Sequence, residues 1–171
     1  MPAYNTIGFI GLGVMGEPIC RNLVKKSGKR VIAFDLAAEP LALLQAEGAK
    51  AAGTVADVVR QSDLLFLCLP SAKHVRAVFE GDGILANIRG GQVVVDLGTS
   101  SVGQTREFAK LLQAEDASWA DAPIARTRQA AQDGTLSVMV GATPALYADI
   151  EPLIVVLPLM SPIAATSARG R

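Results

Sequence analysis

An apolar run, Ile7 to Ile10, passes directly into Gly11-Leu12-Gly13-Val14-Met15-Gly16, and the residues that follow, through Ile19, Leu23 and Val24, carry apolar side chains at helical spacing. A strand that turns into a helix across three glycines in this spacing has few ways to fold. Gly11 permits the tight turn, Gly13 lets a bound group approach the backbone, and Gly16 lets the helix pack closely on the strand. Unpaired N–H groups at the helix start then face the turn, where they can hold an anion such as a pyrophosphate. Glycine-rich turns also serve packing alone, so the motif needs a second feature to carry a function.

The rest of the chain supplies a context. Apolar runs of strand length at Ile7–Ile10, Val31–Phe34, Leu64–Leu69 and Val93–Leu97 alternate with segments of helical periodicity. Continuous apolar strands suit a parallel sheet covered on both faces. The expected fold class is therefore α/β, a doubly wound, mostly parallel sheet of the Rossmann type. Thr54, Ser71 and Ser101 stand where they can cap later helices, and Thr143-Pro144 starts a helix expected to run to about Leu153. Gly81-Asp82-Gly83 and Gly90-Gly91 mark turns.

Asp35 is the second feature. It lies nineteen residues beyond Gly16, at the end of the next strand, where the adenosine ribose of a dinucleotide would sit. A carboxylate there accepts hydrogen bonds from the ribose hydroxyls and repels a 2′-phosphate. Leu36 follows it and supplies no cation, while Lys29-Arg30 lie at the other end of the strand, roughly 16 Å away at about 3.3 Å per residue. The expected cofactor is NAD, preferred over NADP. The competing reading of Asp35 is a surface carboxylate that ends a strand.

Composition removes several other classes. Half of the 171 residues are apolar, enough for a sizeable core, and acidic and basic residues balance at 16 each. No charge excess is available for counterion release, so nucleic acid is not an expected partner. The longest apolar stretch near the C-terminus, Ile154–Ala165, is broken by Pro158 and Pro162 and is shorter than the ~20 residues of a membrane span. With no basic residue in Met1–Thr6 to open a signal peptide, a cytoplasmic location is expected. Cys20 and Cys68 lie in apolar or helical patterns and read as buried thiols. His74 is the only histidine, and no metal site is expected.

The stretch Ile7-Gly8-Phe9-Ile10-Gly11-Leu12-Gly13-Val14-Met15-Gly16, with Asn22-Leu23 after it, closely resembles the opening of the β-hydroxyacid dehydrogenases, typified by 3-hydroxyisobutyrate dehydrogenase. Four later segments extend the likeness through about residue 153. Leu69-Pro70 ends a strand that passes beside the cofactor in that family. Asp96-Leu97-Gly98-Thr99 is similar to the family's Asp-x-Ser-Thr, with Gly98 in place of serine, and implies that Thr99 lies near nicotinamide and substrate. Asp121-Ala122-Pro123-Ile124 matches Asp-Ala-Pro-Val, and Gly134-Thr135-Leu136 with Val138-Met139-Val140-Gly141 matches the usual continuation. The resemblance implies cofactor contacts from Gly11, Leu12, Gly13, Val14, Met15, Gly16, Asp35, Leu36, Leu69, Pro70 and Thr99. It also implies oxidation of a β-hydroxy acid, or reduction of the matching aldehyde or keto acid.

Two departures bear on the chemistry. Where many members have Ser-Gly-Gly, this chain has Ala125-Arg126-Thr127. A guanidinium presents a planar fork to carboxylate, sulfonate or phosphate oxygens, so Arg126 and Thr127 are expected to bind the acidic group of a small hydroxy-acid or aldehyde substrate. The other reading makes Arg126 and Arg128 solvated loop residues paired with Asp133 or Asp121. The family's catalytic lysine, with an asparagine four residues on, opens an all-helical second domain, and no lysine here lies in such a motif; no catalytic residue is expected within the chain. Lys73 and His74 read as solvated residues at a helix start. From Ile154 to Arg171 the sequence drifts to Ser, Pro, Ala and Arg without a family motif, and reads as a frameshift or truncation product with the second domain missing. A homo-oligomer is possible. A second function class, a non-catalytic dinucleotide-binding or interaction module, stays open beside the dehydrogenase.

Overall fold

The computed structural model describes residues 4–125, 127–133 and 135–157, and the backbone alone of 159–166. Nine strands and eight helices alternate along it: β1 (Thr6–Ile10), α1 (Gly16–Lys26), β2 (Arg30–Phe34), α2 (Ala38–Ala46), β3 (Lys50–Ala51), α3 (Val55–Gln61), β4 (Leu64–Leu67), α4 (Ala72–Phe79), α5 (Ile84–Asn87), β5 (Val93–Asp96), α6 (Val102–Ala114), β6 (Ser118–Asp121), β7 (Ile124–Ala125), α7 (Arg128–Asp133), β8 (Leu136–Ala142), α8 (Pro144–Ile154) and β9 (Leu159–Thr166). The first six strands are all parallel and lie in the order β3-β2-β1-β4-β5-β6. This is the strand order of the dinucleotide-binding fold, and its switch point falls between β1 and β4. The doubly wound α/β expectation is met.

Alternation along the strands explains why both faces are covered. Ile7, Phe9, Leu64, Phe66, Val93 and Val95 point into one core, which α1, α2, α7 and α8 seal with Ile19, Leu23, Leu44, Ala131 and Ile150. Ile10, Leu65, Leu67 and Val94 point into the other, sealed by α3, α4, α5 and α6. There Phe79 stacks on Phe108 with ring centroids 4.0 Å apart, and Trp119 meets both edge-on or tilted. Gly8 lets strand and helix fit closely: a Cβ there would lie 2.5 Å from Ser62 Oγ and 2.7 Å from Val58 Cγ1, so α3 can approach β1 only over a glycine.

Beyond β6 the sheet turns antiparallel. Asp121 pairs with Gly141, and Ile124 and Ala125 pair with Val138 and Ser137, in one unbroken register. β6 and β7 thus form a single strand against one edge of β8, interrupted where Pro123 lacks a donor. β9 runs parallel along β8 in the stretch where the sequence shows no family motif. Thr54, Ser101 and Thr143 cap their helices as expected, accepting from the N–H groups of Asp57, Gln104 and Leu146. Ser71 does not: its hydroxyl is taken by His74 Nδ1 at 2.8 Å. Among the described residues no helix is long and apolar enough to cross a membrane.

Candidate functional site

Three glycines meet three different surroundings. Gly11 has φ of +100°, and a Cβ on it would lie 2.3 Å from the carbonyl oxygen of Cys68. A Cβ on Gly16 would lie 1.9 Å from the carbonyl oxygen of Gly11, so the tight neighbour of the helix start is the turn itself rather than the body of the strand. Gly13 has nothing within 4 Å of its Cβ position and faces open space. Two glycines close the turn and one leaves room above it.

The helix that starts there has no side-chain cap. Met15 occupies the N-cap position of α1 and offers no acceptor, unlike the capping residues of α3, α6 and α8. In the first turn of α1 the N–H of Glu17 donates to Gly13 O at 3.1 Å and Pro18 has none, so Gly16 is the first-turn residue whose N–H has no partner among the described residues.

Asp35 ties this turn to the next strand. Its Oδ2 accepts from the N–H of Leu12 at 2.6 Å, its Oδ1 accepts from the N–H of Ala37 at 2.7 Å, and the N–H of Gly11 donates to Phe34 O at 3.1 Å. The carboxylate is half-buried, which leaves the remaining lone pairs open toward the cleft. Sequence spacing located Asp35; its bracing of the glycine turn depends on how the ends of β1 and β2 lie side by side.

Two clefts flank the turn. One, of about 630 Å³, is lined by Gly11, Asp35, Leu36, Leu69, Pro70 and His74 among others, with Leu36 95% exposed at its rim. The other, of about 400 Å³, is lined by Gly13, Val14, Met15, Gly16, Leu69, Pro70, Gly98 and Thr99, together with Cys68, Leu97 and Ile124. Leu69 and Pro70 wall both clefts, so the pair forms a bent trough over the switch point. Of the residues expected to touch a cofactor, only Leu12 lies under the trough, buried, where its N–H serves Asp35.

Cys68 departs from the sequence reading. It is only partly buried and lines the second cleft, while Cys20 is fully buried in the core. Desolvation, with the Asp96 carboxylate nearby, pushes the Cys68 thiol up to about 12, so it presents an uncharged, unreactive sulfur. Ala125 and Thr127 stand just past Ile124, exposed, and do not line the trough. The Thr127 hydroxyl faces the N–H of Ala130 at 3.4 Å, as a loose cap on α7. Arg126 lies outside the described residues, as does Gly134. Lys73 and His74 are exposed, as expected.

Beneath the second cleft sits a pair of carboxylates. Asp96 and Asp121 end the neighbouring parallel strands β5 and β6 in register. Asp96 is fully buried, and its oxygens accept from Gly98 N at 2.9 Å and Ser100 Oγ at 2.7 Å. Burial raises its pKa and these two hydrogen bonds oppose the rise. Ser100 therefore supports the loop that presents Thr99, with Gly98 where the family has serine. Asp121 Oδ1 is buried without a hydrogen-bond partner among the described residues. Desolvation, then the charge of Asp96, raises Asp121 to about 6.

A stability prediction follows from that sign. The folded protein holds the Asp121 proton more tightly than the unfolded chain, whose carboxylate titrates near 4. Asp121 therefore contributes its full stability below about pH 4 and loses it as pH rises through about 6. Asp121→Asn, which keeps the shape and removes the charge, should raise the melting temperature at pH 8, with the gain vanishing near pH 4. A scanning-calorimetry series across that range checks it, and a gain independent of pH would remove the titration from the explanation.

Comparison with known proteins agrees with this geometry. A family model described as the NAD binding domain of 6-phosphogluconate dehydrogenase matches residues 6–160. Over 152 residues the chain is 39% identical to the 2-(hydroxymethyl)glutarate dehydrogenase of Eubacterium barkeri, covering 88% of this chain and 50% of that protein. The solved 3-hydroxyisobutyrate dehydrogenase of Mycobacterium tuberculosis superposes with a TM-score of 0.87 at 30% identity, over 97% of this chain and 56% of that one. Psf3, solved in complex with NADP+ and 2-OPP, superposes with a TM-score of 0.85 at 28% identity, over 94% and 57%. The chain spans about half the length of these relatives. Strand order, glycine turn and sequence similarity converge: this chain belongs to the family of NAD-binding domains of the 6-phosphogluconate dehydrogenase type.

Proposed function

We propose that this chain binds NAD in preference to NADP, as the cofactor half of an oxidoreductase that interconverts a small β-hydroxy acid and its aldehyde or keto acid. The observation that carries this reading is the trough itself, which bends around an uncapped helix and a glycine with open space above it. The cleft beside Asp35 takes the adenosine, with Asp35 accepting from the ribose hydroxyls. The pyrophosphate rests over Gly13, on the N–H groups of the glycine turn and of Gly16 at the start of α1. The second cleft takes the nicotinamide, against Met15, Leu69, Pro70 and Ile124.

Bound NAD supplies the hydride acceptor, and the chain's own residues bind, orient and exclude water around it. Thr99, exposed on a loop held by Asp96 and Ser100, offers a hydroxyl at the rim of the second cleft. Ala125, Arg126 and Thr127 follow Ile124 in the sequence and are proposed to receive the acidic end of the substrate. Among the described residues no lysine lines the trough, and the group that takes the hydroxyl proton is not assigned to these residues. Isothermal titration of the chain with NAD tests the reading. One-to-one binding is expected, and absence of binding at about 1 mM of either NAD or NADP, the weakest affinity worth calling specific, would overturn it.

A further inference from the structure

A third, smaller cleft opens on the α2 side of the glycine turn, with a volume of about 260 Å³. Leu12, Gly13 and Val14 form its floor, Glu17 of α1 and Glu39 of α2 stand on its walls, and Arg128 of α7 closes it. Gly13 and Val14 also line the nicotinamide-side cleft, so the crest of the turn is reached from both sides. Arg128 is brought there by packing. Ala131 is fully buried, and Asn22 of α1 donates to its carbonyl at 3.3 Å and to that of Pro18 at 3.0 Å. Arg128 lies one helical turn before Ala131 and therefore shares the face that α7 turns toward α1.

The charges around the turn give this arginine a task. Asp35, Glu80 and Asp82 line the adenosine-side cleft, and Glu17 and Glu39 line the third, so a ligand carrying a diphosphate enters a region rich in carboxylates. The other arginines nearby are committed: Arg21 to Glu17 and Glu47, and Arg76 to Glu80 and Glu107. Among the described residues Arg128 makes no ion pair, and it is the one guanidinium that lines any of the three clefts. Backbone N–H groups alone provide partial charges, whereas a guanidinium brings a full charge and a fork that matches two phosphate oxygens.

We propose that Arg128 is a diphosphate-binding residue, which reaches across the crest of the glycine turn to the bridging phosphates of the dinucleotide. This rests on the dinucleotide reading above, and it assigns the residue to the binding of charge rather than to the recognition of adenosine or nicotinamide.

Arg128→Ala and Arg128→Lys test it, since alanine is the best helix former and leaves the start of α7 sound. NAD and ADP are titrated by calorimetry, and adenosine, which has no phosphate, by ligand-observed NMR. In Arg128→Ala the affinities for NAD and ADP should fall about tenfold, the scale of one charge-assisted hydrogen-bonded contact, while adenosine binds as before. The slope of NAD affinity against salt should become shallower, and lysine should restore the salt slope but only part of the affinity. Unchanged NAD and ADP binding in Arg128→Ala would overturn the proposal, as would an equal loss for adenosine, which marks a structural role. Failure of the unaltered chain to bind NAD and ADP would overturn the dinucleotide reading, and this assignment with it.

Discussion

Gly13→Val should leave the melting temperature of the protein within about 2 °C of the parent and abolish dinucleotide binding, a loss of at least about a hundredfold. The position tolerates the side chain in the free protein, because its φ is not in the left-handed region and nothing stands within 4 Å of the Cβ. On the proposed reading the same open space takes the pyrophosphate, beside the N–H groups of the turn and of Gly16, and an isopropyl group fills it. Gly16→Ala should behave in the opposite way. One methyl group there meets the Gly11 carbonyl oxygen at 1.9 Å, a contact with backbone that no rotamer can relieve. Overpacking of this kind costs about 1–3 kcal/mol, or at least about 3 °C of melting temperature in a chain of this size. Thermal melts and NAD titrations on the two variants separate the roles. A Gly13→Val protein that binds NAD normally would show that the turn serves packing alone, and a Gly16→Ala protein of parental stability would show that the turn is looser than its geometry.

The contrast between these glycines shows what the sequence could and could not convey. Spacing alone separates the crowded Gly11 and Gly16 from the open Gly13, because the turn and the helix start are local and contiguous, but it assigns Gly16's close contact to the strand where the structure shows the turn. Asp35 was legible for a similar reason: the end of β2 must lie beside the end of β1 once the two strands are parallel and joined by one helix. Its bonds to Leu12 and Ala37 were not legible, since they depend on a side-chain direction that spacing does not specify. The Asp96–Asp121 pair is further from reach. Each residue was found inside a motif, but their mutual register depends on the pairing of β5 with β6 across the whole of α6. Cys68 follows directly on a fully buried strand and shares its apolar character, but the strand ends at Leu67, two residues before the apolar run does, and the chain turns outward there. Ser71 has the chemistry of a helix cap, but its hydroxyl meets His74 Nδ1 three residues on and accepts from no backbone N–H of α4.

Exchanging Asp35 should change which dinucleotide the chain prefers. On the proposed reading the carboxylate faces the adenosine ribose; Leu36 beside it is apolar and almost fully exposed, and Arg30, the basic residue of β2, lies at the strand's opposite end. Among the described residues no lysine or arginine lines that cleft, and the His74 ring there has its Nδ1 against the Ser71 hydroxyl. A 2′-phosphate about 5 Å from the Asp35 carboxylate would meet a repulsion of order 3 kcal/mol per charge at an effective dielectric of about 20. Partial exposure reduces this, so the unaltered protein should prefer NAD over NADP by at least about tenfold. In Asp35→Asn the repulsion disappears, and the ratio of the two affinities should fall toward one. The absolute NAD affinity should also drop, because an amide cannot accept from both Leu12 and Ala37: one of its ends must donate, and one brace of the glycine turn is lost. Asp35→Ala removes both braces and should lower NAD affinity further, by about a hundredfold in all, at roughly 1–1.5 kcal/mol for each hydrogen bond lost. Parallel titrations with NAD and NADP on the three proteins read both effects at once. Equal binding of NAD and NADP by the unaltered chain would remove Asp35 as the discriminating group, and a parental NAD affinity in Asp35→Ala would show that the turn stands without its brace.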